Sequence, residues 1–317
     1  MNGPQRLLDH EDHWVTSMGA WFPGERVVFR GKDLFHDLKD LRWMALLLYG
    51  ITGRMFDENQ VRLFEGMWVL STSYPDPRLW NNRIAALAGT ARSTAALAIG
   101  AANAVSEASL YGRRPDIRAI DFLLRTQVQL SKGADLEELV TVELKKYRRI
   151  FGYGRPVTSK DERIDPMITL ARELGFSEGS YVRLAFAVQG ILLQGRWRLY
   201  MNIAALLAAL AADQGLSRHE YYQFMVLSFS GGMFPCYIDA LNKPQGTLFP
   251  LRCDRIKSVD GKPRRMWGEA YKERIPLGYP VGLGEKGLTD VLRHPHCKLS
   301  TDANRNCRRS TTTNSGR

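Results

Sequence analysis

Asn202-Ile-Ala204-Ala-Leu-Leu-Ala-Ala-Leu-Ala-Ala-Asp213-Gln-Gly215-Leu216 decides how this chain folds. It is one of two stretches of unusual alanine content, the other running from Arg83 to Ser109. Small side chains let helix backbones approach closely, so both read as central helices buried on most of their circumference, in the core or at a subunit contact. Outward from them, apolar residues recur at helical spacing: Val61, Phe64, Met67 and Trp68 on one helix, Met167, Leu170 and Leu174 on another. Asp57 with Gln60, Ser159 with Glu162 and Ser217 with Glu220 have the spacing that satisfies free N–H groups reciprocally at a helix start. Arg26-Val-Val-Phe-Arg30 reads as a short strand, and Lys132 to Arg149 as a solvated helix. Few alternating runs compete, so the fold class is mainly α and a parallel-sheet enzyme fold is not expected.

The chain has 317 residues, 44% hydrophobic and 24% charged, enough to bury a core without disulfides or metal. Its most apolar tracts are interrupted by Arg92 and Asn103 and by Asp213, short of the roughly 18 apolar residues of a membrane span, so no membrane is expected as a partner. Met1 to Asp12 lacks the basic and apolar segments of a secretory signal, which makes the cytoplasm the expected compartment. Cysteines at 236, 253, 297 and 307 are too few and too late for a disulfide framework, and reduced thiols are expected.

The formal charge is +11, but Lys286 to Arg317 holds seven Lys/Arg against Asp290 and Asp302, a net +5 in the last tenth of the chain. The remainder is thin apart from Lys145, Lys146, Arg148 and Arg149 and a cluster from Arg252 to Arg265, so nucleic acid is not the expected partner. Residues 281–317 read as a basic, disordered tail. Within it, Gly282-Leu-Gly284-Glu-Lys-Gly287 matches a dinucleotide glycine spacing without the βαβ context that would give it meaning. His294, His296, Cys297 and Cys307 lack the paired short spacings of a zinc site, and no metal is assigned.

Four segments in order resemble the citrate synthase and citryl-CoA lyase family. They are Arg30-Gly-Lys-Asp33 leading to Leu46-Leu-Leu-Tyr-Gly50; Asn82-Arg83 through Ala98-Ile-Gly100-Ala; Gly152-Tyr-Gly154-Arg155-Pro156-Val157 with Asp161-Glu-Arg163; and Asn202-Ile-Ala204 with the helix after it. The resemblance covers about residues 26–265. It implies a two-part helical protomer, a homodimer, and a cleft for a small carboxylate or acyl-CoA. The large part would be 1–106 and 206–280, and the small part, closing over the cleft, 107–205.

The family's chemistry needs a carboxylate to take the acyl proton, a histidine at the enol oxygen, a histidine on the keto acid, and arginines for carboxylates. On the family's pattern the base falls on Ala204 and the keto-acid histidine on Arg155, which cannot cycle a proton at neutral pH. The enol histidine falls on Ser106 or Glu107, and a further arginine near Phe229. Arg163 keeps the carboxylate-binding place. Glu107 and Arg155 are therefore the candidate catalytic residues, and Arg155 and Arg163 the candidate carboxylate ligands. Two expectations follow: altered acyl-CoA C–C bond-forming or bond-cleaving chemistry, with a coenzyme A thioester as substrate and no tightly bound cofactor; or a catalytically silent ligand-binding or partner subunit. If Arg155 and Arg163 only pair with Asp161 or Glu162, they are structural.

Overall fold

Val27, Val28 and Phe29 favour a pleated backbone, and Arg26–Phe29 (β2) pairs antiparallel with Gly19–Phe22 (β1) and Lys32–Asp33 (β3). Phe29 stands opposite Lys32, so Arg30-Gly31 is the two-residue turn, and both residues have the positive φ such turns need. Arg30 then reaches the end of the first core helix, donating from Nε to Gly50 O at 2.8 Å and from Nη2 to Ile51 O at 3.2 Å. These are bonds to carbonyls that the helix end leaves free. The computed structural model describes residues 3–13, 15–109, 112–155, 160–196 and 198–247.

Helices make up the rest of the described regular structure: α1 (Gly3–Leu8), α2 (Trp43–Thr52), α3 (Glu58–Ser71), α4 (Trp80–Thr90), α5 (Ala95–Val105), α6 (Arg113–Leu130), α7 (Leu136–Tyr147), α8 (Ile164–Glu173), α9 (Ser180–Gln194), α10 (Ile203–Asp213), α11 (Arg218–Met225) and α12 (Ser230–Leu241). The capping boxes at Asp57/Gln60 and Ser217/Glu220 start α3 and α11. Ser159 lies outside the described residues, and α8 begins later than its spacing suggested, with Arg163 at the N-cap. Glu162 is instead turned to Arg155 and Tyr74, since a guanidinium is a stronger partner than a free N–H.

The alanine-rich tracts part company. α10 is buried at nine of its eleven residues, sealed among α6 and α9. Arg83 to Ser109 is two helices, because the chain turns back at Arg92 (φ 61°). The Arg92 guanidinium binds the carbonyls of Gly89, Ala240, Leu241 and Lys243, tying the α4–α5 turn to the end of α12. Of α5 only Ala98 and Ala102 are buried, while Leu97 is 69% exposed, so full burial within one protomer does not hold there. α7 is solvated as its charges suggested, with Val140 buried.

α3 and α11 close the core on the other side, where Phe64 meets Phe224 edge-on at 5.1 Å. Arg218–Leu241 has the length and hydropathy of a membrane span, and 44% of that window is buried against the fold. Gly152 (φ 91°) brings its loop onto α10 so closely that a Cβ there would lie 2.6 Å from the Ala205 Cβ. Residues 281–317, Cys253, Cys297, Cys307, His294 and His296 lie outside the described residues. Cys236 is a buried free thiol.

Candidate functional site

A cleft of about 670 Å³ opens where several segments meet. Ser71 to Tyr74 leave α3, Trp80 and Asn81 open α4, and Gly112, Pro115 and Asp116 open α6. Phe151 to Arg155 precede α8, and Asn202 to Ala204 begin α10. The glycine-flanked loop holds its place by backbone bonds: Gly154 N donates to Tyr200 O at 2.7 Å and Asn202 N to Gly152 O at 2.8 Å. This is the physical content of the Gly152-Tyr-Gly154 motif, which sets Arg155 at the cleft wall.

Arg155 and Arg163 both line the cleft, and both already hold carboxylates. Arg163 grips Asp161 with two bonds of 2.8 Å, from Nε to Oδ1 and Nη2 to Oδ2. Asp161 also accepts from Ile203 N at 2.9 Å, which fixes the arginine to the start of α10. Arg155 binds Glu162, and its Nη1 lies 3.8 Å from Asp161. The Tyr74 hydroxyl donates to Glu162 at 2.5 Å, and the Arg163 guanidinium lies 5.3 Å from the centre of the Tyr74 ring. Tyr74, Glu162, Arg155, Asp161 and Arg163 thus form a closed ring of side chains. The bonds from Arg155 and Tyr74 hold the Glu162 carboxyl down at about 2, while burial and Glu162 push Tyr74 up to about 12. Burial works to raise Asp161, but the Arg163 fork and the Ile203 N–H outweigh it and leave that carboxyl below its ordinary range.

Ala204 lines the cleft where α10 begins, and its N–H is taken by the Asn202 side chain at 3.0 Å. It offers no side-chain proton acceptor. Ser106 is buried at the end of α5, donates to Ala102 O at 2.8 Å, and accepts from the cleft-lining Asn81 at 3.3 Å. Asn81 also accepts from Ser73 at 3.2 Å. Glu107 is turned elsewhere: it is exposed, accepts from Tyr222 at 3.0 Å, and does not line the cleft. Of the described residues between α5 and α6, Gly112 lines the cleft, and Pro115 and Asp116 follow it from the start of α6. Phe229 lines the cleft as an apolar wall and stacks 3.6 Å from the guanidinium of the buried Arg113.

Sequence reasoning missed Tyr74, Asn81 and Asp116. Tyr74 sits in an irregular turn with no periodic signal. Asp116 could have been sought as the acidic residue in the first turn of α6, four residues past Gly112. Among the described residues no group of three or more His, Cys, Asp or Glu is placed to hold a metal ion.

No protein-family model and no curated protein sequence matches the chain. Solved structures do. Citryl-CoA lyase from Hydrogenobacter thermophilus matches with a TM-score of 0.68 at 20% identity, over 82% of this chain and 99% of that one. ATP citrate lyase from Methanosaeta concilii, solved with (3S)-citryl-CoA, matches with a TM-score of 0.63 at 17% identity, over 86% of this chain and 46% of that one. Citrate synthase from Thermoplasma acidophilum, solved with carboxymethyl-CoA and oxaloacetate, gives 0.54 at 16% identity, over 72% and 60%. The chain therefore has the fold shared by citryl-CoA lyase and citrate synthase.

Proposed function

We propose that the cleft binds a small carboxylate or an acyl-CoA and that the chain carries out altered C–C bond-forming or bond-cleaving chemistry on such a ligand. The observation that carries this reading is the pair of arginines held at the wall of a 670 Å³ cleft in a fold shared with enzymes of that chemistry. Asp161 takes only one edge of the Arg163 fork, leaving its Nη1 with no bond to a described residue, so the carboxylate orients the arginine without using it up. Arg155 and Arg163 are the proposed carboxylate ligands. Arg155 contributes charge to any reaction but no proton transfer. Glu107 lies outside the lining, and its part is electrostatic, exerted on Arg113 and Asp116.

The same reading carries a homodimer, a large part of 1–106 and 206–280, a small part of 107–205 that closes the cleft, a coenzyme A thioester as substrate rather than a resident cofactor, and a cytoplasmic setting. The second reading, a catalytically silent binding or partner subunit, is favoured by Ala204 and by the carboxylates that already occupy the arginines. A thermal-shift screen with CoA thioesters and with di- and tricarboxylates tests the binding that both readings share. Stabilisation by at least one is expected, and none by any of them would reject the cleft as a ligand site.

A further inference from the structure

The α10 wall of the cleft lacks a proton acceptor at Ala204, but the α6 wall supplies one. Asp116 lines the cleft from the first turn of α6, although only 8% of the residue is exposed. Its Oδ2 lies 3.3 Å from Arg113 Nη1, while Oδ1 takes no hydrogen bond from any described residue. The carboxylate is thus held at one oxygen and open at the other.

Its surroundings are built and polar. Arg113 is 1% exposed, held by Phe229 on its face and by Val226 O at 3.4 Å, and its Nε has no partner among the described residues. The hydroxyl of the fully buried Tyr221, on α11, is likewise without one. Buried polar groups are normally satisfied; Arg113 Nε and Tyr221 OH lie behind the lining, and of these groups Asp116 alone reaches the cleft, with one carboxylate oxygen open. Burial raises the Asp116 carboxyl above its ordinary range, and Arg113 pulls against that rise. From further off Arg163 acts in the same sense as Arg113, and Glu107 in the opposite sense. A carboxylate made more basic than usual, with a fixed guanidinium bonded to one oxygen and the other open to the cleft, has the geometry for general-base work.

We propose that Asp116 is the catalytic base of this cleft, taking a proton from the carbon beside the thioester carbonyl of a bound acyl-CoA. The C–H bond breaks, an O–H bond forms at the Asp116 carboxyl, the C–H electron pair becomes the new C=C bond, and the carbonyl π pair moves to the oxygen to give the enolate. Return of the proton reverses the step, and no oxidant or further reactant is needed. The inference rests on the reading of the cleft as an acyl-CoA site.

Acetyl-CoA in deuterium oxide, followed by proton NMR, reports this step directly as loss of the methyl signal, and calorimetry with the same compound reports binding separately. Wild type is expected to bind acetyl-CoA and exchange its methyl protons. Asp116→Asn is expected to bind about as well and to exchange more slowly by roughly 100-fold or more, the usual contribution of a positioned base. Because that variant leaves Arg113 buried without its counter-charge, the paired change Arg113→Met with Asp116→Leu provides an uncharged control of similar volume, expected to lose exchange equally. Exchange undiminished in either variant, or binding by wild type without exchange, overturns the role of Asp116 and leaves the cleft reading standing. Failure of wild type to bind acetyl-CoA overturns both.

Discussion

Glu162 is the residue at which stability and ligand binding pull against each other. It is 58% exposed at the side chain, yet it holds the Arg155 guanidinium that a ligand carboxylate would need. Glu162→Gln is therefore expected to tighten binding of citrate several-fold, as calorimetry would show, because the internal competitor loses its charge. The sign of the pH dependence follows from a carboxyl held at about 2 against its ordinary 4.5. Its contribution to stability is complete above pH 4.5 and is lost as the pH falls through about 2. The acid-induced drop in melting temperature over that range should accordingly be smaller in Glu162→Gln than in wild type. The sequence pointed to Arg155 and Arg163, and also to the pairing with Asp161 and Glu162. It could not show that pairing and cleft lining hold at once, since both depend on Tyr74 and Ile203 brought in from distant segments. Asp116 escaped for a similar reason: one acidic residue in a helix's first turn is ordinary until a cleft opens beside it.

Among the elements, helix starts were legible wherever a cap had no better partner. Asp57/Gln60 and Ser217/Glu220 behave as their spacing dictates, whereas Glu162 is drawn to a charge and α8 starts late. Alanine content marked α4, α5 and α10 as close-packing helices without telling which would be enclosed by the chain itself. The turn at Arg92 was not legible, because an arginine at positive φ has no sequence signal. It is maintained by the carbonyls it binds on α4 and at the end of α12. Arg92→Ala should cost about 1–2 kcal/mol in urea unfolding, the scale of a few partly exposed charge-assisted bonds. An unchanged midpoint would mean that the α4–α5 turn holds without this tie.

At the scale of the whole molecule, α5 and α12 present an apolar surface that the described residues of one protomer leave open: Leu97 is 69%, Phe234 44% and Ile238 50% exposed. Ala95, Ala96, Gly100, Ala101 and Ala104 are also exposed along α5, and side chains this small let a second helix approach closely. Light scattering at micromolar concentration should give a dimer, and Leu97→Asp should shift it towards monomer. A wild-type monomer would remove the homodimer from the proposal. The central claim concerns the cleft, and titration calorimetry with citrate, malate and acetyl-CoA, on wild type and on Arg163→Lys, tests it most directly. Saturable binding of at least one of them is expected, weakened about tenfold or more by Arg163→Lys because an ammonium cannot grip Asp161 and a ligand as a planar fork does. Wild-type protein that binds none of the three, or that binds as well with lysine at 163, would contradict it.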